Sequence, residues 1–316
     1  MRTARGPAAW VLAAILLPAA AAPLLAPRPP DLQEDVAGGR DLPPLSRAHA
    51  LRTTDGRTRI VTGLRRDGAG FVFERAGGTG RADAADLAVP PEPRLYLLGT
   101  DRLGRDVWSR VLFGLRHSAG VAALAVALSL LVAFALGGAA VFGGPFLDAA
   151  IMRGIDVVMA VPRLLLYLLC ASLLPLSTAL LVAVLAATTW TGLARIVRAE
   201  LLALKGGGIE AAARAAGARP LRTLFFHLLP AILPALAVAA SLRFADTILL
   251  ESAVSVLGLG APPPAVSLGD IMSSGRAAAG DWWLVAFPGL LLAALVLALR
   301  SAATSLDRLL DPPSIA

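Results

Sequence analysis

Between Arg116 and Asp148 the chain carries no Asp, Glu, Lys or Arg. An uncharged apolar run of this length exceeds the about 20 residues a helix needs to cross the hydrocarbon core of a bilayer. Five further apolar segments flank it, so that residues 8–26, 118–142, 155–175, 177–192, 228–250 and 282–299 all read as spans. The composition agrees. Of 316 residues, 57% are hydrophobic and 16% charged, against about 25% charged in an ordinary soluble domain. Disorder is excluded over most of the length, because disordered chains are poor in apolar residues. The expected fold is an all-α integral membrane protein with six transmembrane helices.

Charge sets the expected orientation. Arg2 and Arg5 precede the first span and place the N-terminus in the cytoplasm. Six spans return the C-terminus to the same side. The loop after the fourth span then lies inside, with Arg195, Arg198, Lys205, Arg214, Arg219 and Arg222 against Glu200 and Glu210. The segment 27–117 lies outside although it is rich in arginine, because long segments obey the positive-inside rule poorly. The chain divides into an N-terminus and first span (1–26), this extracytoplasmic segment (27–117), a domain of five spans with the loop 199–228 (118–304) and a cytoplasmic tail (305–316). The first segment also fits a signal peptide, with a basic start, an apolar stretch and small residues near Ala19. Within 27–117, a Pro-rich linker precedes two short strands, 59–64 and 70–74, which predict a small β-hairpin.

Absences bear on chemistry. A phosphate-binding P-loop needs Gly-Lys followed by Ser or Thr. The only lysine, Lys205, stands between Leu204 and Gly206. None of the three histidines is followed by Glu, so no HExxH zinc motif exists. One cysteine, Cys170, allows neither an intrachain disulfide nor a multi-cysteine metal site. No catalytic residue and no metal site is assigned, and a basic pI near 11 is read as loop charge rather than nucleic-acid binding.

Three constellations remain. The first is the cytoplasmic loop 199–228. It contains Gly206-Gly207-Gly208, then Glu210, Ala211, Ala212, Ala213 and Arg214, then Gly217 and Pro220. The glycines break the preceding helix, the Ala-rich stretch is a strong helix former, and Gly217 suits a left-handed terminus. A short helix lies across the cytoplasmic surface, either as a solvated connector or as a docking element. The second is Gly99-Thr100-Asp101-Arg102-Leu103-Gly104-Arg105-Asp106. Asp106 is placed to cap a helix at the membrane interface whose Trp108, Val111, Leu112 and Leu115 share one face. Asp101 and Arg105 are spaced to pair, and a structural role ranks above substrate contact. The third is Glu251 to Gly260 with Pro262-Pro263-Pro264 and Ser267-Leu268-Gly269 at the end of the fifth span.

These stretches together resemble the inner-membrane permeases of ABC importers, in the dipeptide/oligopeptide/nickel branch and its C-type subunit. The loop resembles the EAA motif, although the family's Glu stands where this chain has Ala211, with Glu210 one position early. The second stretch resembles LGTDxLGRDxxSR, and the third resembles ILLEAxLSFLGLGxxPPxxSWG with Leu268 in place of Trp. The match covers about 98–312 and leaves 27–93 uncovered.

The resemblance implies half of a translocation path for peptides or a related solute, a nickel chelate included. The implied partners are a second, homologous permease in a heterodimer, one or two ABC ATPases, an extracytoplasmic solute-binding protein and membrane lipid, with no nucleic acid. ATP and Mg are expected on the ATPases and no cofactor on this chain. The implied location is the bacterial inner membrane. The EAA loop would couple the ATPases to the path.

Ionisable residues inside the spans cost about 2.5–3.5 kcal/mol each at a helix centre. Asp156, Arg163, Arg243 and Asp246 are the candidates for a water-filled path. Arg243 and Asp246, three apart, share a face and can pair, which a mere helix lock would explain equally. Two rival functions fit the composition: an ion-gradient-driven secondary transporter and a non-transporting membrane scaffold.

Overall fold

The computed structural model describes residues 7–75, 78–276 and 280–310. Arg2, Arg5, the tail beyond residue 310 and the side chain of Arg214 lie outside that description. The helices are α1 (Pro7–Ala20), α2 (Val107–Phe142), α3 (Pro145–Ala160), α4 (Arg163–Leu173) and α5 (Thr178–Leu204). They continue with α6 (Gly208–Ala215), α7 (Leu229–Val256), α8 (Leu268–Arg276) and α9 (Trp283–Leu310).

Among the described residues, four helices are long and apolar enough to cross a membrane, or five if the bent pair α3–α4 counts as one span. The expected six are therefore not all present as spanning helices. The shortfall is at the start. Helix α1 has 14 residues with Pro18 inside it, about 21 Å at 1.5 Å per residue, and the hydrocarbon core is about 30 Å thick. Its Leu12, Ile15, Leu16 and Ala19 pack onto the core cluster shared by α2, α7, α8 and α9.

The expected third span is also reshaped. Pro162 has no N–H and pushes Val161 into an extended conformation (φ −92°, ψ 124°). The chain bends by 77° there, between α3 and α4. The fourth span runs on to Leu204 rather than stopping near Gly192. Arg195 and Arg198 end the apolar run in sequence but are paired in space, Arg198 with both oxygens of Asp148 at 2.5 and 2.6 Å. The sixth span continues as helix to Leu310, into the segment expected to be tail.

Among the described residues no separate interfacial helix directly precedes the second span. Asp106 accepts a hydrogen bond from the Ser109 amide at 2.9 Å, as expected of a cap, and the helix it opens is α2 itself, 36 residues long. Helix α5 lies along α2 at close range. A Cβ on Gly137 would meet Val197 Cγ1 at 2.7 Å and the Ala194 carbonyl oxygen at 3.0 Å. Small residues permit such approaches between membrane helices.

Before α2 lies a five-stranded antiparallel sheet: β1 (Ser46–Arg52), β2 (Thr58–Asp67), β3 (Gly70–Arg75), β4 (Gly78–Asp83) and β5 (Glu92–Tyr96), in the order β4-β3-β2-β1-β5. The β2–β3 pair corresponds to the expected hairpin, with a tighter connection through Gly68 (φ +59°). One small core holds Ala48, Ala50, Ile60 and Tyr96, and a second holds Leu51, Val61 and Phe73.

Candidate coupling helix and translocation face

At the end of the bundle remote from the sheet, α5 stops at Leu204 and Gly206 (φ +77°) turns the chain into α6. The helix closes in a Schellman motif. The Ala218 amide donates to the Ala213 carbonyl at 3.0 Å, and Gly217 sits at φ +75°. Among the described side chains of α6, Glu210 (3% exposed) and Ala213 (4%) face inward. Glu210 accepts a hydrogen bond from the Gly206 amide at 2.5 Å, so its carboxylate ties the helix to the turn before it. Ile209, Ala211, Ala212 and Ala215 face out. The outward side chains described on α6 are thus all apolar, and all but Ile209 are small.

Beyond it, Pro220–Thr223 forms one helical turn. A π-turn over Leu224–Leu228 then leads into α7, with the Leu229 amide bonded to the Leu224 carbonyl. The wider turn leaves Phe225 and Phe226 exposed beside Arg219 and Arg222 around a shallow depression. Lys205, the only lysine, donates to the Val141 carbonyl at 2.5 Å and lies 5.4 Å from the Phe142 ring. It thereby completes the C-terminus of α2, where exposed carbonyls favour a cation.

The charges inside the spans fall into two groups. Asp156 on α3 pairs with Arg195 on α5 and lies 4.0 Å from Arg153. Asp246 on α7 lies 3.2 Å from Arg300 on α9 and 3.6 Å from Arg243. Arg243 lies against α5 where there is no side chain, since a Cβ on Gly192 would meet its Nη2 at 2.5 Å. Arg163, at the first position of α4 beyond the bend, is within electrostatic reach of Arg243 and Asp246. The structure pairs Arg243 with Asp246 near Arg163, sets Asp156 in a separate pair, and adds Arg300 and Arg195. Arg300 directly follows the apolar run of the last span, and that position is the signal that marks it in the sequence.

Gly99 to Asp106 forms a knot between sheet and bundle. Thr100 is fully buried. Its hydroxyl donates to the Gly39 carbonyl at 2.6 Å and accepts from the Leu42 amide at 2.8 Å. Its own carbonyl accepts from Trp283 Nε1 of α9 at 3.1 Å. Gly99 (φ +78°) has no room for a Cβ, which would come within 2.4 Å of the Leu42 carbonyl oxygen. Gly104 (φ +73°) lies against Gly39. Asp101 accepts from the amides of Leu103 and Arg105 and from Arg105 Nε, the last at 2.7 Å. It also lies 3.6 Å from Arg110, whose other end holds Asp270 of α8 at 2.6 Å. These contacts tie the sheet to α2, α8 and α9.

Comparison with known proteins agrees with this architecture. Residues 125–312 match the model of the family described as binding-protein-dependent transport system inner membrane component. The chain belongs to this family. Among relatives of this inner-membrane component is a protein of Brucella suis biovar 1 (strain 1330), provisionally named a peptide transport system permease protein. It is 37% identical over 237 residues, 74% of this chain and 79% of that one. The dipeptide transport system permease protein DppC of Haemophilus influenzae is 36% identical over 220 residues, 69% of this chain and 74% of its own. The fold is similar to that of a chain in the inward-facing MetNI methionine ABC transporter. The TM-score is 0.55 at 18% identity, with 64% of this chain and 97% of that chain covered. The inner-membrane component thus carries the family's span domain with a five-stranded sheet ahead of it.

Proposed function

We propose that this chain is one permease subunit of an ATP-driven ABC importer of peptides, and that α6 is the element its ATPase partner pushes. The observation that carries the reading is the pair of faces on α6. Glu210 and Ala213 are turned in, while Ile209, Ala211, Ala212 and Ala215 offer a small-residue surface at the end of the bundle. Small side chains let a second protein approach closely, and a helix fixed at both ends transmits a push. With Glu210 occupied by the Gly206 amide, docking falls to the alanine face and to Phe225 and Phe226.

The remaining parts follow from this. The α6 end is cytoplasmic, consistent with its surplus of Arg and Lys, and the C-terminal end of α9 lies on that side. The sheet faces the opposite compartment, where a solute-binding protein delivers cargo. Charges half-exposed within the spans of a lone chain face water or another subunit, and a second, homologous permease encloses the other side of the path. ATP and Mg reside on one or two ATPase subunits. The relatives named for peptide and dipeptide transport support peptide cargo, and a nickel chelate is the competing solute of the same branch. Alternation between outward and inward access needs two states of the bundle with different partner contacts.

The test is a cross-link. Ala212→Cys is placed in a Cys170→Ser background and treated with a short bifunctional thiol reagent in native membranes. The expected product joins this chain to a P-loop ATPase. A cross-link that instead recovers only lipid or a non-ATPase protein, with the cysteine fully labelled, overturns the assignment of α6.

A further inference from the structure

Two guanidiniums flank one carboxylate where α7 meets α9, and a third stands nearby at the start of α4. Asp246 lies between Arg243, at 3.6 Å, and Arg300, at 3.2 Å. Arg163 stands close enough to feel both Arg243 and Asp246. Among the described residues no second carboxylate pairs with Arg163, Arg243 or Arg300. Asp156 is engaged by Arg195 and Arg153. The cluster therefore carries an uncompensated positive charge.

It is also open. Arg243, Asp246 and Arg300 are 28, 38 and 56% exposed at their side chains. Charges in this position within a membrane protein face a water-filled cavity or a partner, not lipid. The local backbone supports the same orientation. Pro162 breaks the span immediately before Arg163, and Gly192 makes room for the Arg243 guanidinium. Arginine stays charged at any working pH and binds a carboxylate through two parallel hydrogen bonds.

We infer that Arg163, Arg243 and Arg300 form an anion-recognition face in the path, and that its ligand is a free carboxylate on the transported solute. The inference rests on the importer reading above and narrows its cargo. An amidated or otherwise carboxyl-blocked solute loses the interaction. Asp246 keeps the guanidiniums from binding so tightly that release fails, because it competes for the same donors.

Two measurements on the assembled importer, purified with its partners, test this. In the first, Ala160→Cys in the Cys170→Ser background places a thiol beside the bend. An anionic sulfonatoethyl and a cationic trimethylammonium-ethyl methanethiosulfonate are compared, each relative to its rate with a free model thiol. The anionic reagent is expected to be favoured at least tenfold. Arg163→Leu and Arg300→Leu should each reduce that preference severalfold. An unbiased ratio, or no reaction with either reagent, overturns the inference.

The second measurement is ATP-driven uptake of trialanine and of trialanine amide. The acid-to-amide ratio should fall severalfold in Arg163→Leu relative to the parent. The same binding protein serves both, so its own preference cancels. An unchanged ratio rejects the carboxylate as ligand. No ATP-driven uptake of either peptide rejects peptide import itself, while the thiol ratio still reports separately on the charge of the face.

Discussion

Replacing Thr100 with valine removes one hydroxyl and keeps the shape of the side chain. That hydroxyl makes two hydrogen bonds across the join between sheet and bundle, to the Gly39 carbonyl at 2.6 Å and from the Leu42 amide at 2.8 Å. Thr100 is fully buried, so water does not replace the lost oxygen. Leaving a buried donor or acceptor unsatisfied costs about 1–3 kcal/mol. The Gly39 carbonyl, deep in the join, bears the larger share, and the Leu42 amide, part-buried, the smaller. A combined cost of about 3 kcal/mol is expected, or roughly a hundredfold in a local opening equilibrium. The assay is hydrogen–deuterium exchange of the peptide containing Leu42, in detergent-solubilised protein. Thr100→Val should accelerate exchange roughly a hundredfold there, while strands β3 and β4 stay unchanged. Thr100→Ser, which keeps the hydroxyl, should leave the rate near that of the parent. Equal rates for Thr100→Val and the parent would refute the knot as the element that fastens the sheet.

Glycine positions in α8 and α2 should respond in opposite directions to alanine. A Cβ on Gly269 would lie 2.3 Å from the Ser252 carbonyl oxygen, so Gly269→Ala should destabilise by about 1–3 kcal/mol. Gly120, with nothing within 4 Å, should gain about 0.5–1 kcal/mol as Ala within a helix, and thermal unfolding in detergent reads both. Gly192→Ala displaces only the flexible end of Arg243, so Tm should hardly move while transport falls; normal transport would remove Arg243 from the path. The Asp281 carboxyl is held above the usual carboxylate range, first by burial and then by the Asp41 carboxyl beside it. The folded chain therefore holds that proton more tightly than the unfolded one. The contribution is full at low pH and is lost as pH rises through the raised value. Asp281→Asn should flatten this decline and raise Tm at neutral pH, and an unaltered pH profile of Tm would count against the pair.

The long spans were legible because apolar runs are long and charges within them few. The limits of that reading are physical. Arg198 ends a hydropathy window, yet paired to Asp148 at 2.5 Å it stays in the helix, so α5 extends beyond the predicted end. Pro162 announces a break, but nothing local gives the 77° of the bend. The first segment is apolar throughout 8–26 and still yields only a short helix, because prolines at 18 and 23 interrupt its backbone bonding. In the sheet, Gly78–Asp83 has almost no hydrophobic residue to mark it. It becomes a strand only because β3 offers its edge. Glu210 was visible as a motif residue, but its inward direction follows from the turn at Gly206, which only the three-dimensional path reveals. Arg300 joins Asp246 across two helices, a pairing with no sequence signature.

The central claim is that partner ATPases drive solute through a path this chain half encloses. Purification of the tagged chain from native membranes, followed by uptake in proteoliposomes with ATP enclosed and binding protein outside, tests it most directly. The account predicts that a P-loop ATPase and a second permease co-purify, and that peptide accumulates only when ATP is present. This chain purified alone, moving solute on an ion gradient without ATP, would contradict it.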